Sequence, residues 1–276
     1  MIVGKAKLIM KSNLPAFTKE NEEMTKKLEI LRLEFVDLFT QHKDMLENES
    51  VILSALYLER LGYLQLELLE KSTETARQKM KMKLIQAAIN RDETPNLQAI
   101  ELELNKRLQG YYAQIQAQSA ALDEARSVLS HLMTEEETAK LKEIFRLLCK
   151  RLHPDLNPNQ SEEQKDLFVK VKAAYELKRL EELQYILLYL DDSNIEKLIF
   201  IHSNEKLERI RQLENNITVL NEKIVQLEKS FPFNIKAFLF DEAKIQEKQT
   251  EIKTQISHFE AEIAKYVNII NIMTDE

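Results

Sequence analysis

The sequence predicts an all-α protein, and three observations support this fold class. Its 276 residues include only 3 glycines and 5 prolines, the residues that tight hairpins and barrel corners require. Charged residues make up 31% and hydrophobic residues 44% of the chain, a balance typical of long amphipathic helices and too hydrophobic for a disordered protein. Apolar residues also recur at steps of three and four over long stretches. We therefore expect a helical bundle followed by a coiled coil.

Charge and cysteine content exclude several classes of protein. The net charge of −7 opposes nonspecific attraction to phosphate backbones and disfavours a nucleic-acid partner. The single cysteine, Cys149, excludes an intramolecular disulfide and a cysteine-rich zinc site. Residues 1–11 lack the apolar core of a signal peptide, and the longest apolar stretches are too short to span a bilayer. We expect a cytoplasmic protein without a membrane partner.

Residues 1–133 are expected to form an N-terminal bundle of long helices. Two antiparallel helices are predicted between residues 13 and 90, separated by a polar break at residues 47–50. The first carries the apolar stripe Leu28, Leu31, Phe35, Leu38 and Phe39, and the second is rich in leucine and tyrosine over residues 53–69. We interpret this second stretch as packed core, with a groove for a client protein as the alternative. Pro95 ends a polar break, and a third helix is predicted over residues 96–133.

Residues 134–192 predict a unit built on a helix, a loop and a second helix. Thr134 and Glu137 have the spacing of a capping box, and the helix that they begin should end near Leu152. The segment 153–159 holds two prolines and two asparagines, which favour a loop. Ser161 and Gln164 then open the next helix with a second capping box.

Residues 193–276 predict an antiparallel coiled-coil hairpin. Two sets of residues first recur at seven-residue intervals: Ile210, Ile217 and Ile224, and Leu213, Leu220 and Leu227. The sequence breaks at residues 231–234 and then repeats the pattern with Ile256, Ile263 and Ile270 and with Ile252, Phe259 and Tyr266. Pairing of these seams between two chains, which would make a homodimer, is the alternative, because both arrangements bury the same residues.

The loop and its flanking helices carry the most informative motif. On the first helix, an aromatic residue lies eight positions before the loop histidine, a basic residue lies seven before it and a leucine lies five before it. The second helix carries an aromatic residue, then an Ala-Tyr pair and an aliphatic residue. These residues are Phe145-Arg146, Leu148, His153-Pro154-Asp155, Asn157-Pro158, Phe168, Ala174-Tyr175 and Leu177. Over about residues 134–183 the sequence resembles, in a divergent form, the J-domain of DnaJ-type co-chaperones.

The resemblance implies a DnaK-type chaperone as the partner and stimulation of its ATPase as the activity. In this family the first of the two helices docks on an acidic face of the chaperone, which implies docking roles for Lys142, Arg146, Lys150 and Arg151. The loop residues His153, Pro154 and Asp155 would act at the junction between the chaperone's domains and favour its hydrolysis-competent state. The flanking helices would then direct the chaperone to a client protein. No cofactor is implied.

Local charge is consistent with this role. Residues 140–151 contain five basic residues and one acidic residue in a chain that is acidic overall, and a positive face of this kind steers association with an acidic partner. The same face is also consistent with simple solvation.

Three other interpretations stay open. His153 and Asp155 also fit an ordinary polar turn, and the coiled coil then suggests a structural adaptor in which the J-like unit is only a scaffold. A catalytic or metal pair is disfavoured because no third ligand lies within helical reach and His42, His131, His202 and His258 are scattered, so we do not expect an enzyme. We interpret Cys149 as a packing residue, with thiol chemistry as the alternative.

Overall fold

The computed structural model describes residues 19–191 and 203–274, and this part of the chain is helical with no strand, which confirms the all-α prediction. The helices are α1 (Lys19–Asp44), α2 (Ser50–Tyr57), α3 (Tyr63–Ile89), α4 (Leu97–Ser130), α5 (Glu135–Leu152), α6 (Glu162–Glu176), α7 (Leu180–Asp191), α8 (Ser203–Glu228), α9 (Lys236–Leu239) and α10 (Glu242–Thr274). Among the described helices, none combines the length and hydrophobicity that spanning a bilayer requires.

The chain forms two compact units, each assembled from separate parts of the sequence. Of the described residues, the first unit contains 19–49, 133–191 and 203–230, and the second contains 50–132 and 231–274. This division differs from the three consecutive regions 1–133, 134–192 and 193–276 that we predicted. The predicted break at residues 47–50 corresponds to a π-helical turn, Met45–Glu49, which α2 follows directly at Ser50.

In the first unit, α5, α6 and α7 pack on one another, and α1 packs on both α5 and α8. The buried core includes Phe35 from α1, Phe145 from α5 and Tyr175 from α6. Helices α1 and α8 run parallel, because Lys206 donates to Thr25 near one end of the pair and Lys223 lies near His42 at the other. The predicted seam residues Ile210, Leu213, Ile217 and Leu220 are buried in this core.

In the second unit, α3 pairs with α10 along its length and also packs on α4. Arg60, three residues before α3, pairs with Glu242, and Lys71 of α3 pairs with Glu260. The order of these pairs shows that α3 and α10 run parallel as well. The leucine-rich stretch contributes Leu53, Leu61 and Leu64 to the core beside Ile245, Ile252 and Ile256, which confirms the packed-core interpretation of these leucines.

These pairings correct two predictions. The C-terminal seams were expected to form an antiparallel hairpin, but α8 packs against α1 in the first unit and α10 packs against α3 in the second. The two helices predicted between residues 13 and 90 were expected to pair antiparallel with each other. Instead, α1 pairs with α8 and α3 pairs with α10. A heptad seam specifies that a helix needs an apolar partner, and the seams of α1, α3, α8 and α10 offer similar surfaces. Helical periodicity alone therefore leaves the choice of partner open.

Both predicted capping boxes are present. The Thr134 side chain accepts a hydrogen bond from the Glu137 amide and the Glu137 carboxylate accepts one from the Thr134 amide, at the start of α5. Ser161 and Gln164 make the equivalent reciprocal pair at the start of α6. These bonds satisfy amides that have no partner within the helix, and the second pair also fixes the end of the α5–α6 loop at the start of α6.

We expect Ser161→Ala to lower the free energy of unfolding by about 1 kcal/mol, because it removes the acceptor that caps α6. Urea titration followed by circular dichroism would measure the change. Asn159→Ala is the matched control, since Asn159 is an exposed loop residue two positions earlier. A Ser161→Ala protein as stable as the control would show that the cap contributes nothing to α6.

Helix α6 ends at a segment that contains neither glycine nor proline. Lys178 has a positive φ of 54°, its amide donates to the Tyr175 carbonyl, and the Arg179 amide donates to the Ala174 carbonyl. This pair of bonds is the Schellman arrangement, which usually places glycine at the left-handed position. It turns the chain from α6 into α7, a helix that sequence analysis did not separate.

Candidate functional site

The loop between α5 and α6 is a compact turn that the chain builds from its own polar groups. The Leu156 and Asn157 amides donate to the His153 carbonyl at 3.0 and 2.9 Å. The Asn157 side-chain amide donates to the carbonyls of Lys150 and His153 at 3.3 and 3.2 Å, and Gln160 donates to the Leu152 carbonyl at 2.6 Å. Asn157 and Gln160 thus satisfy carbonyls at the end of α5 that have no partner within the helix.

The His153 side chain is buried, with 8% of its surface exposed. Its ring makes edge contacts with Phe35 and Phe39 of α1 and with Phe168 of α6, at centroid distances of 4.8, 4.6 and 5.1 Å. Its Nδ1 accepts a hydrogen bond from the Asp155 amide at 3.2 Å, which requires this nitrogen to be unprotonated. Histidine at this position is therefore held as a neutral aromatic residue.

Burial lowers the pKa of His153 to about 4, because the charged imidazolium would lose its hydration among aromatic rings. The nearby Asp155 carboxylate opposes this shift and Lys172 adds to it. Desolvation has the largest effect of the three.

Pro154 and Asp155 are exposed at the apex of the loop, in contrast to His153. The Asp155 carboxylate accepts a hydrogen bond of 2.9 Å from the Asn216 side chain of α8. A second contact, from Arg32 of α1 to the Asn157 side chain at 3.4 Å, also reaches the loop. Two helices outside the helix–loop–helix unit therefore touch the loop.

Two of the four predicted docking residues on α5 form ion pairs with α1. Lys142 lies 2.6 Å from the Asp44 carboxylate, and Arg146 pairs with Asp37. The order of these pairs along the two helices makes α1 and α5 antiparallel. The other two predicted residues, Lys150 and Arg151, lie in the last turn of α5 and are partly exposed. Positive charge at this end of a helix is favoured by the helix dipole.

Asp44 also accepts the hydrogen bonds of a polar network at the C-terminal end of α1. The Tyr175 hydroxyl donates to Asp44 at 3.2 Å, and the Asn48 amide donates to the same carboxylate oxygen at 3.1 Å. Burial raises the pKa of Tyr175, with a further contribution from the Asp44 charge. The Tyr175 ring stacks on Phe145 at a centroid distance of 4.0 Å. The network therefore joins α1 to both helices of the predicted unit.

Cys149 is fully buried in the core of the first unit, and burial raises the pKa of its thiol. A thiol of this kind is not activated as a nucleophile, which supports the packing interpretation. Over residues 19–191 and 203–274, no group of three or more histidine, cysteine or carboxylate side chains is placed to hold a metal ion.

Most of the site residues that sequence analysis missed belong to α1 and α8. The stripe of α1 was identified, but the contacts of Phe35 and Phe39 with His153 were not, nor were the roles of Asp37 and Asn216. One signal was present: Asp37 and Asp44 lie seven residues apart and so on one face of α1, as Lys142 and Arg146 do at a spacing of four on α5. Complementary charge at these spacings is compatible with two packed helices.

Comparison of the chain with protein-family models, with curated proteins and with solved structures gave no match.

Proposed function

We propose that this protein is a co-chaperone whose α5–loop–α6 unit binds a DnaK-type chaperone and stimulates its ATP hydrolysis. The flanking helices would act as the adaptor that brings the chaperone to a client protein. The observation that carries the proposal is the continuity between a basic helix, α5, and a preformed loop that presents Pro154 and Asp155 to solvent.

The chemistry of the exposed loop suits recognition of a cationic group. Asp155 is a carboxylate with free acceptor capacity beyond its bond to Asn216, and it can accept a charge-assisted hydrogen bond from an arginine of the chaperone. Pro154 restricts the backbone directly before Asp155, so that little conformational entropy is lost on binding. Lys142, Arg146, Lys150 and Arg151 would contribute electrostatic attraction to an acidic partner face.

A structural adaptor is the second candidate function, and the burial of His153 favours it. A histidine enclosed by three phenylalanine rings, beside lysine and arginine side chains that already have acidic partners, is consistent with a role in packing. In that case the J-like unit would only join α1 and α8 to the rest of the first unit.

Single-turnover ATP hydrolysis by a DnaK-type chaperone distinguishes the two functions. We expect the wild-type protein to accelerate hydrolysis and Asp155→Asn to reduce the stimulation by about tenfold or more, the factor that corresponds to one hydrogen bond to a charged group. Asparagine keeps an acceptor for Asn216 but removes the charge. Asp166→Asn is the matched control, because Asp166 is an exposed aspartate on α6.

Equal stimulation by wild-type and Asp155→Asn protein would show that the loop is not the docking element. No stimulation by the wild-type protein at saturating concentration, and none by the variants of α1 described below, would leave the adaptor function. His153→Gln is a further variant, and its stability must be measured in parallel because the side chain is buried.

A further inference from the structure

We propose that α1 and α8 form an intramolecular cover over the chaperone-docking face of α5 and its loop, so that a chaperone must displace this cover to bind. The inference rests on the proposed function and names how the same site is regulated. Of the seven residues predicted to contact a chaperone, four already contact the cover. These are Lys142, Arg146, His153 and Asp155, which contact Asp44, Asp37, Phe35 with Phe39, and Asn216 respectively.

The chemistry of the cover matches that of the expected partner. The basic face of α5 suits an acidic protein surface, and α1 supplies Asp37 and Asp44 at that face. The chaperone and α1 would therefore compete for the same lysine and arginine side chains. Packing of Phe35 and Phe39 on His153 adds an apolar contact that no chaperone can make while α1 is in place.

The Arg146–Asp37 pair of the cover is weak enough to be displaced. The side chains of Arg146 and Asp37 are 52% and 54% exposed, and exposed ion pairs contribute little net free energy. A further pair joins Lys43 of α1 to Glu176 of α6 at 2.9 Å, away from the predicted docking residues. These two pairs offer substitutions that weaken the cover without altering α5 or the loop.

The expected effect follows from a two-state equilibrium between covered and open forms. When only a small fraction of the protein is open, the apparent Kd for the chaperone equals the intrinsic Kd divided by that fraction. A substitution that increases the open fraction by a given factor lowers the apparent Kd by the same factor. The maximal stimulation is unchanged, because the open form is the same.

Two variants with opposite charge changes test the cover. Asp37→Lys places a positive charge beside Arg146, so that attraction becomes repulsion. Lys43→Glu likewise places a negative charge beside Glu176. We expect each to lower the apparent Kd for the chaperone about two- to fivefold, the factor that corresponds to an exposed ion pair. Glu34→Lys and Lys26→Glu are the matched controls, exposed residues of α1 with the same charge changes. A general electrostatic effect would instead move the two variants in opposite directions.

A chemical readout separates the cover from the function. Diethyl pyrocarbonate acylates an accessible neutral imidazole, and peptide mass analysis gives the rate for each histidine. We expect Asp37→Lys and Lys43→Glu to accelerate the modification of His153 by the same factor as they lower the apparent Kd. Neither control should change it, and exposed His258 serves as the internal reference.

The two readouts distinguish the possible failures. Where the wild-type protein stimulates the chaperone, an unchanged rate at His153 in all variants, or a faster rate without a fall in the apparent Kd, shows that the inference is wrong while the proposed function stands. If no variant stimulates the chaperone although His153 becomes reactive, the proposed function is wrong and only a cover over this loop is supported. Circular dichroism on each variant confirms that the fold is retained.

Discussion

Replacing Phe145 with alanine is expected to lower the free energy of unfolding of the first unit by about 3–5 kcal/mol, the range measured when a buried phenylalanine is truncated. The Phe145 ring has no exposed surface and stacks on Tyr175 at 4.0 Å, with Phe39 at 6.3 Å on another side. Alanine at this position would leave a cavity where α1, α5 and α6 meet, and the surrounding helices relax only partly into such a space.

Urea titration followed by circular dichroism would measure this loss, with Tyr185→Ala as the control. Tyr185 is an aromatic residue of α7 in the same unit, but 77% of its surface is exposed. Its truncation should change the stability by less than about 0.5 kcal/mol, as is usual for surface positions. A similar loss for the two variants would show that Phe145 is not part of a cooperative core.

Acidification should destabilise the first unit through His153 before most carboxylates titrate. The pKa of His153 is about 4 in the folded protein and about 6.5 in an unfolded chain, so the unfolded state binds more protons between these values. The contribution of His153 to stability is thus complete above pH 6.5 and is lost as the pH falls toward 4. Its full size is about 3 kcal/mol, from a shift of about 2.5 pKa units.

Urea midpoints measured from pH 7.5 to pH 4.5 would show this dependence. In His153→Gln the slope between pH 6.5 and pH 5 should become smaller by the contribution of His153, because glutamine does not titrate. A residual slope is expected from His42, whose pKa burial also lowers. His258→Gln is the matched control, the same substitution at an exposed position of α10. If His153→Gln and wild-type protein have the same pH dependence, the histidine is not held neutral in the folded state.

The sequence predicted the local structure of the site well. Both capping boxes, the end of α5 at Leu152 and the loop before Ser161 occur where they were expected. These features depend on residues within four positions of one another, and a side chain that caps a helix or fixes a turn acts on its own backbone. Burial of Cys149, Phe145 and Tyr175 followed equally from helical periodicity.

The sequence did not predict which helices cover the site. His153 was expected at the surface of a docking loop, and its burial depends on Phe35 and Phe39, more than a hundred positions earlier in the chain. Lys142 and Arg146 were expected to be available to a partner, and they pair with Asp44 and Asp37. Contacts of this kind depend on which helix packs on α5, and local patterns do not contain that information.

The sequence by itself therefore determined the helical fold class, the starts of α5 and α6, the end of α5, the apolar faces and the loop with its His-Pro-Asp motif. The tertiary structure alone decided that α1 pairs in parallel with α8, that α3 pairs with α10, and that α1 lies on the motif. The physical reason is that hydrophobic burial is non-directional and several seams of this chain could have covered one another. The choice among them is made by the combined packing, ion pairs and hydrogen bonds of each unit, which exist only once the chain has folded.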